Sequence, residues 1–202
     1  MNIKNIDNLK INIFSTPILS CKLSIDNLSL ISYFYKLKKE SAGLKNSNEG
    51  GWHSDYLDLN AIELQPLIKN IKNNLLHYIK DCGFKTNFLY EIETMWSIIN
   101  GYKDYNDIHN HLNCLFSGVY YVKTPENCGV LEFLNPAKEI NYHWDKNYIQ
   151  SYNDVNSTLW YFPAEQGNLY FFPGWAYHRV KPNLNKNEDR ISISFNISVK
   201  NK

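Results

Sequence analysis

From Asn87 onward the chain is a succession of short β-rich segments cut by turn residues. No other feature limits its fold as much. Residues 91–100, 115–122, 130–134, 158–162, 169–172, 177–181 and 190–199 are apolar or alternating, and they carry many β-branched and aromatic side chains. Turn signals separate them at Thr124-Pro-Glu-Asn127, Asn135-Pro136, Gln166-Gly-Asn168, Pro173-Gly174 and Pro182-Asn183. Many short strands with regular punctuation predict a sandwich or barrel. Residues 139–157 interrupt the rhythm: polar, aromatic, and longer than an ordinary hairpin loop.

The N-terminal part reads differently. Residues 11–23 look extended around Thr16-Pro17. Asp26 is placed to cap a helix over 27–40, with Leu28, Ile31, Phe34, Tyr35 and Leu37 near helical spacing. Residues 43–55 are rich in Gly, Asn and Ser and predict a loop. Asn60 and Glu63 suggest a capping box for a second helix. Its apolar stripe would be Ile62, Leu67, Ile68, Ile71, Leu75, Leu76 and Ile79, with Gly83 as its stop. Both helices are expected to be packing elements. The expectation is one domain over 1–202, with a strand and packing helices in 1–86 and a β core in 87–202.

A hydrophobic share of 44% is enough for a substantial core, and a formal net charge of +1 gives no electrostatic case for nucleic acid or an anionic membrane. No apolar stretch is long enough to span a bilayer, and the first residues lack a signal-peptide pattern. Cys21, Cys82, Cys114 and Cys128 form no C-x-x-C pair. Reduced thiols in a cytoplasmic protein are therefore expected. No residue pattern specifies an oligomeric state.

Two stretches carry chemistry. In Asp107-Ile-His-Asn-His111 two imidazoles stand two residues apart. In a strand they share a face and can aim at one point, which suits a transition metal; in a turn they would be exposed histidines. Downstream, His178 closes Phe172-Pro-Gly-Trp-Ala-Tyr-His178, and Arg190-Ile-Ser-Ile-Ser-Phe-Asn196 alternates polar with apolar. An arginine turned inward with two serines needs something polar to bind. Its fork suits a carboxylate.

With Ser117-Gly-Val-Tyr-Tyr-Val122 and Gly129-Val-Leu-Glu-Phe133, these pieces resemble the 2-oxoglutarate/Fe(II)-dependent oxygenases. More narrowly they resemble a poorly characterised bacterial and phage group of them. The resemblance covers roughly the C-terminal half, from Trp96 on. It implies a mainly β double-stranded β-helix, a cupin-like jelly roll with N-terminal helices. It implies an Fe(II)- and 2-oxoglutarate-dependent dioxygenase that hydroxylates a substrate C–H, releasing succinate and CO2. The substrate would be a small molecule or a peptidyl side chain. Carried over, His109 and His178 are iron ligands, Arg190 anchors 2-oxoglutarate, Ser192 assists, and Tyr121 supplies a hydroxyl. Its parity with the histidine pair supports Tyr121 if the strand has no bulge.

The family's usual triad has a carboxylate where this chain has His111. Three histidines are the preferred ligand set, with Asp107 as runner-up, since it shares a strand face with His109. A literal His53-Ser-Asp55 lies in the loop ahead of the second helix and is expected to make loop hydrogen bonds. His77 reads as structural, His143 as a surface or lid residue, Trp175 as core, and Glu132 as outward-facing. Two other readings stand beside the oxygenase. One is a cupin-type three-histidine metalloprotein that does not use 2-oxoglutarate. The other is a non-catalytic jelly-roll binding module.

Overall fold

The structure is a computed structural model that describes residues 12–137 and 139–200, without the side chains of residues 141 and 142. The first residues of the N-terminal stretch, and the side chain of Tyr142 in the long insertion, lie outside what it describes. In chain order the elements are β1 (Leu19–Lys22), α1 (Asn27–Glu40), β2 (Asn48–Glu49), β3 (Trp52–His53), a 3₁₀ turn (Ile62–Leu64), α2 (Gln65–Asp81), β4 (Leu89–Asn100), β5 (Tyr105–His109), β6 (Phe116–Lys123), β7 (Val130–Leu134), the short α3 (Ile140–His143), a second 3₁₀ turn (Lys146–Tyr148), β8 (Leu159–Pro163), β9 (Asn168–Pro173), β10 (His178–Val180) and β11 (Arg190–Lys200).

The strands form two antiparallel sheets, in the orders β1-β9-β6-β11-β4-β3 and β2-β5-β10-β7-β8. Leu30 and Phe34 of α1 and the inner stripe of α2 pack on one face of the six-stranded sheet, against Ile191, Ile193, Phe195 and Ile197. The other face of that sheet meets the five-stranded one through Val119, Tyr121, Tyr170 and Phe172 against Leu131, Phe133 and Phe162. This is the double-stranded β-helix with a helical layer outside it. Having both faces covered explains why β6 reads as a continuous apolar run. Gly118 sits at its centre. A Cβ there would lie 2.6 Å from the Tyr170 carbonyl oxygen and against the Phe195 ring, so the close approach of β6 to its neighbours needs a glycine.

Local signals hold where the chain itself supplies the partner. Asp26 accepts from the Leu28 amide at 3.0 Å and α1 spans the predicted residues. Gly83 takes φ +74° and ends α2, with Phe84 N donating to Ile79 O at 3.0 Å. The capping box does not form. Asp58 accepts from both the main-chain and side-chain nitrogens of Asn60, so Asn60 is spent in a turn. α2 instead starts at Gln65 with Pro66 in its first turn, where a missing N–H costs nothing. Leu28, Ile62 and Leu76 are exposed, and Leu30, absent from the predicted stripe, is buried. The predicted loop over 43–55 contains two short strands. One of them, β3, pairs with β4 through Trp52 and His53. Among the described residues no helix is long and apolar enough to cross a membrane.

Candidate metal centre

β11 carries the polar face of the site. Its alternation puts Ile191, Ile193, Phe195 and Ile197 into the helix-side core. Ser192, Ser194 and Asn196 face a cavity of about 440 Å³, which His53, Tyr56 and Trp96 also line. Among the described residues, no acidic side chain, lysine or arginine lines that cavity.

Three histidines converge there. One ring nitrogen from each of His109, His111 and His178 lies within 4.8 Å of the others. The ring centroids are 4.4 Å apart for His109 and His178, 5.1 Å for His111 and His178, and 5.2 Å for His109 and His111. His109 ends β5 and is the register partner of His178 on β10, so sheet pairing brings those two together. His111 arrives otherwise. It lies beyond the end of β5, in a turn where Asn113 takes φ +66°, and its amide donates to the Gly174 oxygen at 2.9 Å. The histidine pair therefore does not share a strand face, and parity gives no support to Tyr121. The Pro173-Gly174 turn fixes His111 instead. A Cβ on Gly174 would fall 3.0 Å from the His111 oxygen.

The tautomers are set by what each Nδ1 faces. His109 Nδ1 meets the Asp107 main-chain oxygen at 2.7 Å, and His178 Nδ1 meets that of Ala176 at 2.9 Å. His111 Nδ1 meets Asn196 Oδ1 at 2.7 Å. A carbonyl oxygen only accepts, so each Nδ1 carries the proton and each Nε2 is left as a lone pair. Burial keeps the rings neutral. It lowers the His109 pKa and brings that of His111 down to about 4. Burial and the two neighbouring imidazoles hold His178 well below its ordinary value. Three neutral, oriented imidazoles fit a divalent first-row metal. Asp107 does not belong to this group. It is exposed, its carboxylate accepts from the Ile108 amide, and it serves His109 through its main chain.

Deeper than the open cavity lies Arg190, 1% exposed. Its Nη1 donates to the main-chain oxygens of Cys128 and Lys181. Among the described residues, its Nε and Nη2, and the hydroxyl of Tyr121, are buried with no partner. Tyr121 on β6 is the register partner of Ser192, two residues from Arg190. Burial lowers the Arg190 pKa, and burial raises that of Tyr121 against the pull of the guanidinium. A buried cation beside an idle hydroxyl costs several kcal/mol unless an anion meets it, about 3–5 kcal/mol when a partner is missing. The donor set fits a carboxylate.

The remaining candidates separate cleanly. His53 is buried, stacks on Trp96 at 5.8 Å and lines the cavity, but it stands outside the histidine group. Its Nδ1 bonds the Ser54 oxygen at 2.7 Å, while Asp55 is exposed. His77 and His143 are exposed, and Trp175, expected in the core, is 51% exposed. Glu132 lies on the outer face of β7 and pairs with Arg179 at 2.6 Å. Two residues given no role from the sequence flank His111: Trp96, stacked on its ring at 5.7 Å, and Asn196. The alternation of β11 already put Asn196 on the polar face with Arg190. Nothing local pointed to Trp96.

Residues 94–196 match the family described as "Putative 2OG-Fe(II) oxygenase". Among curated proteins none matches the sequence. Among solved structures, the chain resembles a prolyl-4-hydroxylase of Pseudomonas putida (10% identity, 92% of each chain, TM-score 0.59). It also resembles a Trichoplax adhaerens prolyl hydroxylase in complex with a hypoxia inducible factor peptide fragment (13% identity, 92% of this chain and 84% of that one, TM-score 0.60). A third is HygX of Streptomyces hygroscopicus with nickel and 2-oxoglutarate bound (11% identity, 91% and 83%, TM-score 0.59). At such identities the likeness speaks for the fold.

Proposed function

We propose, from the premise that this chain belongs to the 2-oxoglutarate/Fe(II) oxygenase family, that His109, His111 and His178 hold the metal and that Arg190, with Tyr121 and Ser192, holds the co-substrate. The enzyme is an Fe(II)- and 2-oxoglutarate-dependent oxygenase. The observation that carries the assignment of residues is the pairing of two features brought together from β5, β6, β10, β11 and the turn after β5. Three free Nε2 atoms converge in the cavity, and an unpartnered guanidinium edge and hydroxyl lie beyond it. The same pairing disfavours a metalloprotein without 2-oxoglutarate, which would give the buried Arg190 fork no carboxylate to hold.

Bound iron supplies the oxidising chemistry, activating O2 at the expense of 2-oxoglutarate. The chain's own residues do the rest. The main-chain oxygens of Asp107 and Ala176 and the side chain of Asn196 hold the three imidazoles as neutral Nδ1–H tautomers. Arg190 offers Nε and Nη2 as a fork to the far carboxylate of the co-substrate, and Tyr121 adds an O–H donor to it. Trp96 and Phe172 exclude water around His111. The default outcome is hydroxylation of a C–H.

The substrate class is a small molecule or a peptidyl side chain, and an uncharged cavity lining supports a reacting segment without charge. The motif order also supports membership of the bacterial and phage group named above. A cytoplasmic setting accords with four free cysteines. Anaerobic titration with Fe(II), with and without 2-oxoglutarate, tests the assignment. A visible charge-transfer band should need both ligands, and it should vanish in R190A at the same concentrations. Iron binding without any band would overturn the co-substrate role.

A further inference from the structure

The three metal-facing imidazoles are not held alike. His109 and His178 are fixed by main-chain oxygens, which no substitution removes. His111 depends on a side chain 85 residues away, with Asn196 Oδ1 at 2.7 Å from its Nδ1. Ser117 Oγ backs that amide. It lies 3.1 Å from Asn196 Oδ1, 3.0 Å from the Phe195 oxygen and 3.2 Å from His111 Nδ1. Trp96, the register partner of Ser194, stacks on the His111 ring. β11 thus carries both the anion-binding Arg190 and the acceptor that orients His111.

We propose that Asn196 is the positioning residue for His111: its amide oxygen fixes the Nδ1–H tautomer and so makes Nε2 available to the metal. The inference rests on His111 as a ligand. It explains how an imidazole can stand where the family keeps a carboxylate. A carboxylate needs no proton placed on its far side, whereas an imidazole in the wrong tautomer presents N–H to the metal and cannot bind it. The amide orientation follows from the same requirement. Turned round, Asn196 would donate to Nδ1 and leave the proton on Nε2.

The test is metal affinity, with Co(II) as the probe, read by its visible absorption in competition titrations. N196L, branched at Cγ like asparagine but without an acceptor, should weaken Co(II) about 10–100-fold, the usual cost of losing an oriented outer partner. N196D keeps an oxygen acceptor and should hold affinity near that of the unmodified protein. In an H111D background, N196L should change affinity by no more than about twofold, because the ligand no longer carries an Nδ1 proton. Circular dichroism and thermal melting of each metal-free variant report folding separately. Unchanged affinity in N196L, a large loss in N196D, or an equal loss in the H111D background would each overturn the proposal. If N196L fails to fold, the N196D arm decides. H111A tests the ligand reading on its own: unaltered Co(II) binding there would remove the premise, whatever Asn196 does.

Discussion

Arg190 is a buried cation whose hydrogen bonding is incomplete within the described residues. Its guanidinium is buried, Nη1 is spent on the Cys128 and Lys181 oxygens, and Nε and Nη2 are left as the fork. R190A should therefore weaken 2-oxoglutarate by about 2–5 kcal/mol, because the ligand carboxylate would be left buried and unpaired. Iron binding should hardly change, since the histidines do not touch Arg190. R190K should recover only part, as an ammonium cannot form the fork. Titrating the charge-transfer band checks both, and equal affinity in all three proteins would remove Arg190 from the co-substrate site. The histidines make a second prediction. The folded state holds His111 at about 4 against 6.5 in the unfolded chain, and the pKa values of His109 and His178 are depressed by the same burial. Between those pH values the unfolded chain binds more protons than the folded one. Stability of the metal-free protein should be complete above about pH 6.5 and fall as pH drops towards 4. Urea midpoints across that interval would show it; a flat profile would mean that the rings are not buried neutral.

The insertion between β7 and β8 is the element with the least explained purpose. Its neck is closed where Asn135 bonds the Ser157 and Thr158 oxygens, at 2.8 and 2.9 Å. Within it Trp144, Tyr148 and Tyr152 are exposed. A loop of aromatic side chains on a rigid barrel suits substrate contact. Shortening residues 139–157 should leave the Fe(II)–2-oxoglutarate band intact while reducing product formation from substrates identified in a screen. Loss of iron binding would show instead that the insertion is part of the barrel wall. The histidine turn makes a complementary point about elements. His109 is delivered by strand pairing and His111 by a turn locked to Gly174, so the pair converges without sharing a pleat.

The whole molecule layers helices on the six-stranded sheet and that sheet on the five-stranded one. One apolar cluster joins α1, α2 and the core strands, with Leu30, Leu67 and Ile71 against Phe116, Ile193 and Phe195. We therefore expect the chain to unfold as a single unit, with near-ultraviolet and far-ultraviolet signals melting together. Fe(II) and 2-oxoglutarate bind only the folded form and should raise that transition, by about 2.7 kcal/mol for a ligand at a hundred times its Kd. Two separated transitions would show that residues 1–86 fold apart from the β core.

The sequence by itself determined what depends on neighbours in the chain. Period-two alternation put Arg190, Ser192, Ser194 and Asn196 on one face of β11, Asp26 capped α1, and Gly83 ended α2. The order of the histidine, glycine and arginine motifs pointed to the family, and with it to the fold. Tertiary structure decided what depends on distant partners. The capping role of Asn60 was lost to Asp58. Leu30 rather than Leu28 faced the sheet, because the direction of a helix stripe is set by what it packs on. Asp107 and His111 were left as rivals because parity along a strand cannot foresee that the strand stops at His109. His111 was drawn in by Gly174, Trp96 and Asn196, contacts that exist only once β4, β9 and β11 have come together.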